Sequence, residues 1–365
     1  MKKSLVFFIT SVIFLLFSCS VPSEDYPGNI FPTENEPQEF SKTPTLTANP
    51  TKNTDMDPTD EPIVIPDSDN TPAPTVSPQQ IHIENIMSDY GYTDNYYLTD
   101  DYWEMMSARI DKYGLAKNIV PLEYHGNDYS MYNGQYSMDP KTFFEQIEWL
   151  MQNDYHFVTI HELRGFVEGW LELPARSIIL TTDSGYSSTI SIPSMIEQFQ
   201  TLESIYGYRP HMQSYIWTWK MEEAENITCK DNLCWKVFND ALDSGFFTFG
   251  THSEAHLEFG KMNSETIFSD LSTSIAEIEE NLGIKVTAIA WPHESCPRDM
   301  QPVLNTGITI GFGGLSKRTE DAFVEESDMN PLCLPRLFPP NSGSRFSSRP
   351  VGITLEELLL SAIEH

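Results

Sequence analysis

Thr181-Thr182-Asp183-Ser184-Gly185-Tyr186, read with His252-Ser253-Glu254-Ala255-His256 some 70 residues later, decides how this chain is read. Each follows a short apolar run: Ser177-Ile178-Ile179-Leu180 before the first and Phe246-Phe247-Thr248-Phe249 before the second. Runs of that length, rich in β-branched and aromatic residues and closed by turn residues, predict buried strands. An acidic residue and two histidines at strand ends are the parts of a hydrolytic metal site. A serine stands where a second carboxylate would serve best.

The segments around these strands set the fold class. Asp139-Pro140 predicts a helix start, with aspartate at the cap and proline in the first turn. Phe143, Phe144, Ile147, Leu150 and Met151 then recur at helical spacing. Strands are predicted over 118–123, 157–160, 178–182, 212–217, 246–250, 286–291 and 308–312. Helices are predicted over 99–113, 191–204, 235–242 and 264–281. Such alternation over about 280 residues predicts an α/β fold, a parallel sheet covered by helices and most simply a barrel. Barrel chemistry sits at the carboxyl ends of the strands. His125, Asp183-Ser184, His252 to His256 and Pro292-His293-Glu294 all fall there.

The first 80 residues carry different signals. Lys2-Lys3, an apolar run from Leu5 to Phe17 and Ser18-Cys19 have the form of a secretory signal. The run is about 13 residues, short of the roughly 20 that span a bilayer. Its end resembles the lipobox of bacterial lipoproteins, which implies a lipidated Cys19 after removal of the leader. From 20 to 80 the chain holds about half of the 25 prolines and few apolar residues, too little to offset its ordering entropy. The expected organisation is therefore a signal segment over 1–19, a disordered tether over 20–80, a helical extension over 81–117 and a catalytic-type domain over 118–365. This places the domain outside the cytoplasm, held to a membrane by lipid alone. The net charge of −31 speaks against nucleic acid as a partner. Outside the cytoplasm Cys229 could pair with Cys234, and Cys296 with Cys333.

His252 and His256 are four residues apart, so a helical turn there would put both imidazoles on one face. Paired imidazoles suit zinc and other first-row divalent ions: cobalt, nickel or manganese. Asp183 reads either as a turn aspartate or as a general base beside a metal-bound water. Tyr215, Trp217 and Trp219 alternate as on one buried strand face, or else contribute to a sugar groove, with Trp217 as the candidate.

These motifs resemble the polysaccharide deacetylases of the nodulation-factor type, carbohydrate esterase family 4. Thr181-Thr182-Asp183-Ser184-Gly185 partly matches that family's Thr-Phe-Asp-Asp-Gly, and His252-Ser253-Glu254-Ala255-His256 matches its His-Ser/Thr-x-x-His. Trp291-Pro292 is similar to its Tyr-Pro. Val120-Pro121-Leu122-Glu123-Tyr124-His125, Tyr155-His156-Phe157-Val158-Thr159 and Leu334-Pro335-Arg336 resemble elements of the branch acting on poly-N-acetylglucosamine and wall glycans. The resemblance implies a distorted (β/α)7-type barrel and metal-assisted removal of N- or O-acetyl groups from a glycan such as poly-N-acetylglucosamine, peptidoglycan or chitooligosaccharide. It implies Asp183 as general base, His252, His256 and Ser184 at the metal, and Trp291 and Pro292 beside the substrate. The family's late Leu-x-His acid is not evident, which leaves His125 and His293 as candidate acids, with Glu294 as a further substitute ligand or acid. Ser184 occupies the family's second aspartate position. That keeps a second reading open, a glycan-binding lipoprotein of impaired activity.

Overall fold

The computed structural model describes residues 77–124, 138–185, 188–219, 221, 233–315, 324–325, 330–340 and 354–363. The chain runs as helices α1 (Pro78–Asp89) and α2 (Asp100–Tyr113), strand β1 (Asn118–Tyr124), helix α3 (Pro140–Gln152), strand β2 (His156–Phe157), helix α4 (Ile160–Val167) and strand β3 (Ser177–Ser184). It continues through α5 (Ser188–Tyr206), β4 (Met212–Ile216), α6 (Leu233–Asp243), β5 (Phe247–Thr251), α7 (Ser264–Leu282) and β6 (Ala288–Ala290). Last come α8 (Gln301–Leu304), β7 (Ile310–Leu315), β8 (Val324–Glu325), β9 (Leu334–Arg336) and α9 (Leu355–Ile363). All of these belong to one compact unit, Thr71–His365.

The strands are ordered β1-β3-β4-β5-β6-β7-β9 and pair in parallel. The ring closes where Leu337, just past β9, meets β1. Its N–H donates to Pro121 O at 2.9 Å, and Glu123 N–H donates to Leu337 O at 2.8 Å. The result is a nearly closed barrel of seven strands, as the alternation predicted a barrel and the resemblance its (β/α)7 form, with β9 in the ring, β2 beside β3 and β8 adding antiparallel to β1. Strands β1, β4 and β5 are buried along their whole length, as strands of a parallel sheet covered on both faces are.

Local signals explain the helix starts. Asp139 caps α3 by accepting from Thr142 N, with Pro140 at its first position. Thr159 and Glu162 form a capping box that starts α4 at Ile160. The capping box shortens the strand expected over 157–160 to His156–Phe157. The extension is joined to the barrel by buried tyrosines. Tyr92 OH bonds both Phe249 O and Phe249 N, and Tyr97 OH bonds His211 Nδ1 at 2.8 Å. The extension begins at Pro78 with Ser77 as its cap, three residues before the expected boundary.

Among the described residues no helix is long and apolar enough to cross a membrane. Cys296 and Cys333 form a disulfide. Cys234 is also disulfide-bonded, while Cys229, like the segment 1–76 and His125, lies outside the described residues.

Candidate active site

The strand register assembles the site. Asp183 on β3 is opposite Tyr215 on β4, which is opposite Gly250 on β5. Gly250 is required there, because a Cβ would lie 2.5 Å from Ala288 O and 2.7 Å from the Tyr215 ring. One residue beyond β5, His252 brings its Nε2 to 3.7 Å from Asp183 Oδ2. Its Nδ1 lies 2.9 Å from Ala290 O. A carbonyl only accepts, so Nδ1 carries the hydrogen and Nε2 keeps its lone pair for the site.

No helix begins at His252. The segment to His256 is a bent loop in which Ser253 and His256 adopt φ of 71° and 54°. Buried Asp270 on α7 holds the loop, accepting from Glu254 N at 3.0 Å and Ala255 N at 2.9 Å. Ser253 Oγ accepts from His256 N at 2.9 Å. Although no helix forms, the two imidazoles meet, their ring centroids 4.9 Å apart. His256 also packs on Trp217 at 4.3 Å and on the exposed His293 at 4.6 Å. Burial, reinforced by the neighbouring imidazoles, pushes His256 down to about 4. Burial likewise holds His252 below its ordinary value. Both rings are thus neutral at pH 7, the form that ligates metals.

Ser184 is buried and accepts a hydrogen bond from Ser214 Oγ at 2.7 Å. Its hydroxyl is thereby tied to β4. Among the described residues no three His, Cys, Asp or Glu side chains gather as a metal site. The donors present, two neutral imidazoles with one Nε2 oriented by its Nδ1 bond, fit a borderline divalent ion held by His252 and His256. Among the described residues, an anionic third ligand is what this set lacks.

Asp183 is held by Arg336 in a two-pronged ion pair, Nη1 to Oδ1 at 2.7 Å and Nη2 to Oδ2 at 3.1 Å. Nη2 of the same guanidinium also meets Glu294 Oε1 at 2.9 Å and Glu123 Oε1 at 3.1 Å. Burial, the main cause, holds the Glu123 carboxyl well above the usual range against the pull of Arg336, with Glu294 and Asp183 adding to the rise. The roles of Glu123 and Arg336 are not assigned by the motifs alone. The available signal was a lone glutamate in the apolar run Ile119 to Tyr124, since a charge on a fully buried strand demands a partner.

The turn Pro292–Glu294 follows β6, and His293 and Glu294 both have positive φ, 56° and 55°. Residues held in this sparsely populated region cluster at functional sites. Trp291 and Pro292, expected beside the substrate, are both buried. The Trp291 indole donates to Leu332 O at 2.7 Å and packs against Phe259. A fully buried ring does not touch a glycan, so Trp291 packs in the core rather than beside the substrate. Tyr215 is core, as its alternation suggested, but β4 ends at Ile216 and the alternation ends with it. Trp217 is partly buried, donating to Glu254 O at 2.9 Å, and Trp219 is 44% exposed. Trp217 is thus the aromatic group in contact with the site.

Residues 171–310 match the family model described as polysaccharide deacetylase. A Bacillus anthracis protein assigned to the polysaccharide deacetylases superposes with a TM-score of 0.50 at 17% identity, over 68% of this chain and 70% of its own. IcaB from Ammonifex degensii is 19% identical over 62% of this chain and 94% of its own, with a TM-score of 0.49. The deacetylase PplD of Streptococcus pyogenes, solved with acetate, is 17% identical over 68% and 99%, also with a TM-score of 0.49. At such identities the first of these speaks for the fold alone. No curated protein matches the chain significantly. Over residues 171–310, the segment that carries Asp183, His252 and His256, this chain is similar to the polysaccharide deacetylase family.

Proposed function

We propose that the protein removes acetyl groups from an N-acetylated, or O-acetylated, glycan at the cell surface, with Asp183 as general base. The observation that carries this reading is the approach of Asp183 and His252 to 3.7 Å at the carboxyl ends of the barrel strands. Arg336 fixes Asp183 in place, so the carboxylate is oriented to take a proton from an attacking water. His252 and His256 are the residues that would hold a divalent ion, zinc first by donor type. That ion would polarise the acetyl carbonyl and acidify water. Trp217, against His256, offers a face for a sugar ring. Poly-N-acetylglucosamine, peptidoglycan and chitooligosaccharide are the substrates to try. A lipid on Cys19 and a tether over 20–80 would present the domain to surface glycans.

Purified protein supplied with zinc should release acetate from at least one of these glycans, and His252→Ala should abolish the release. Failure of the wild type on all three, with any first-row divalent ion, would sink the proposal. The Ser184–Ser214 hydrogen bond favours a second reading, a glycan binder without hydrolysis. That reading requires glycan binding by metal-free protein.

A further inference from the structure

The cluster around Arg336 holds one cation against three carboxyl groups. Asp183 from β3 takes both terminal nitrogens, while Glu294, from the turn after β6, and Glu123, from β1, both meet Nη2. The Arg336 and Glu123 side chains are 1% and 3% exposed, and Glu294 is 13% exposed. Three ionised carboxylates would leave two uncompensated charges in a buried site, which is costly. Glu123 is hydrogen-bonded to Glu294, and burial, with the two neighbouring carboxylates and against the pull of Arg336, raises its carboxyl well above the usual range and so favours a proton there. The other polar groups facing the cluster are Tyr215 from β4 and His252 beyond β5.

Three buried atoms of this cluster, Glu294 Oε2, Tyr215 OH and Arg336 Nε, have no hydrogen-bond partner among the described residues. Unpaired polar atoms in a buried site call for an explanation, a catalytic role or a bound water among them. Glu294 is the most exposed of the groups on Arg336 and the one able to reach a substrate.

Resting on the deacetylase reading, we infer that Glu123 and Glu294 form a proton-carrying pair that supplies the acid of the reaction, with Glu294 touching the leaving nitrogen and Glu123 standing behind it as a positioning residue and proton store. Water adds to the acetyl carbon and its proton passes to Asp183. The carbon–nitrogen bond then breaks with its electron pair on nitrogen. The proton held by Glu123 passes to Glu294, and Glu294 delivers it to the nitrogen. The proton on Asp183 restores the pair through solvent, so amine and acetic acid leave with all protons counted. In this chain the pair does the work for which no Leu-x-His is evident.

Glu123→Gln tests this directly, because the amide copies the hydrogen bonding of a protonated carboxyl but cannot release the proton. The zinc-loaded full chain should lose about 100-fold or more in kcat on acetylated chitooligosaccharide, with KM and melting temperature unchanged. Glu294→Gln should show the same loss. The infrared spectrum of the protein alone at pH 7 should contain a carboxylic-acid carbonyl band that is missing in Glu123→Gln. If Glu123→Gln keeps kcat within about twofold, or if the band is absent from the wild type, the inference is overturned. Loss of rate in His293→Gln with Glu123→Gln silent would assign the acid to the imidazole instead. A wild type that releases no acetate removes the deacetylase reading and the acid role with it. The infrared band, read without turnover, separates that failure from an error about Glu123.

Discussion

Asp183 and Arg336, 153 positions apart in the chain, meet in a two-pronged ion pair that also anchors Glu123 and Glu294. The pair joins β3 to β9, strands that are not neighbours in the sheet, across the mouth of the barrel. Loss of Arg336 would strand buried carboxylates without a counter-charge. Arg336→Met should therefore lower stability at pH 7 by about 3–5 kcal/mol, measured by urea unfolding. Part of the loss should return at acid pH, where the carboxyls can take up protons. A deficit that stays constant with pH would contradict this.

Ser184→Asp restores an anionic donor one residue from Asp183 and close to Ser214. Divalent-metal affinity, measured by calorimetry and metal analysis, should rise by at least the roughly 10–100-fold that changes outside a ligand shell produce. Equal affinity in wild type and variant would mean that position 184 does not face the ion.

Burial also makes the fold sensitive to acid. His161 is pushed down to about 4, His211 to about 3 and His256 to about 4. The ordinary value is about 6.5, so the unfolded chain takes up these protons first. Stability should therefore fall as pH drops from about 6.5 towards about 4. Glu123 has the opposite sign. Its raised carboxyl favours the folded state at low pH, and that contribution is lost as pH rises through its folded value. Urea midpoints across the pH range should show both limbs, and Glu123→Gln should flatten the alkaline one.

The Cys296–Cys333 disulfide ties the segment after Glu294 to the segment before Arg336, with a sequence separation of 37. In the chain-entropy account, a loop of that size is worth about 3–4 kcal/mol. Cys333→Ser should cost about that much in stability and should also weaken acetate release by loosening Glu294 against Arg336. A stability loss with no change in rate would limit the bond to scaffolding.

The barrel and the metal-type loop were legible because their signals are local. Apolar runs such as Ser177 to Leu180 must be buried on both faces, and capped helices between them demand a parallel sheet. Asp183, His252 and His256 were named by their place at strand ends. How the imidazoles meet was not legible. The sequence spacing suggested a helical turn, whereas a loop with positive φ at Ser253 and His256, pinned by Asp270, brings the rings together. The misassignment of Trp291 has a similar cause. A tryptophan after a strand can face either way, and only the space left by Gly311 and Gly313, where a Cβ would meet its ring, turned it into the core.

From its own letters this chain determined an alternating fold, the strand ends that carry its polar groups, and a serine beside the strand-end Asp183. Tertiary structure alone decided that Glu123, Asp183, Glu294 and Arg336 would share one buried guanidinium. Short-range periodicity encodes burial, because each residue's face follows from its neighbours. Charge pairing between strands far apart in the chain depends on barrel closure and register, which no local pattern specifies.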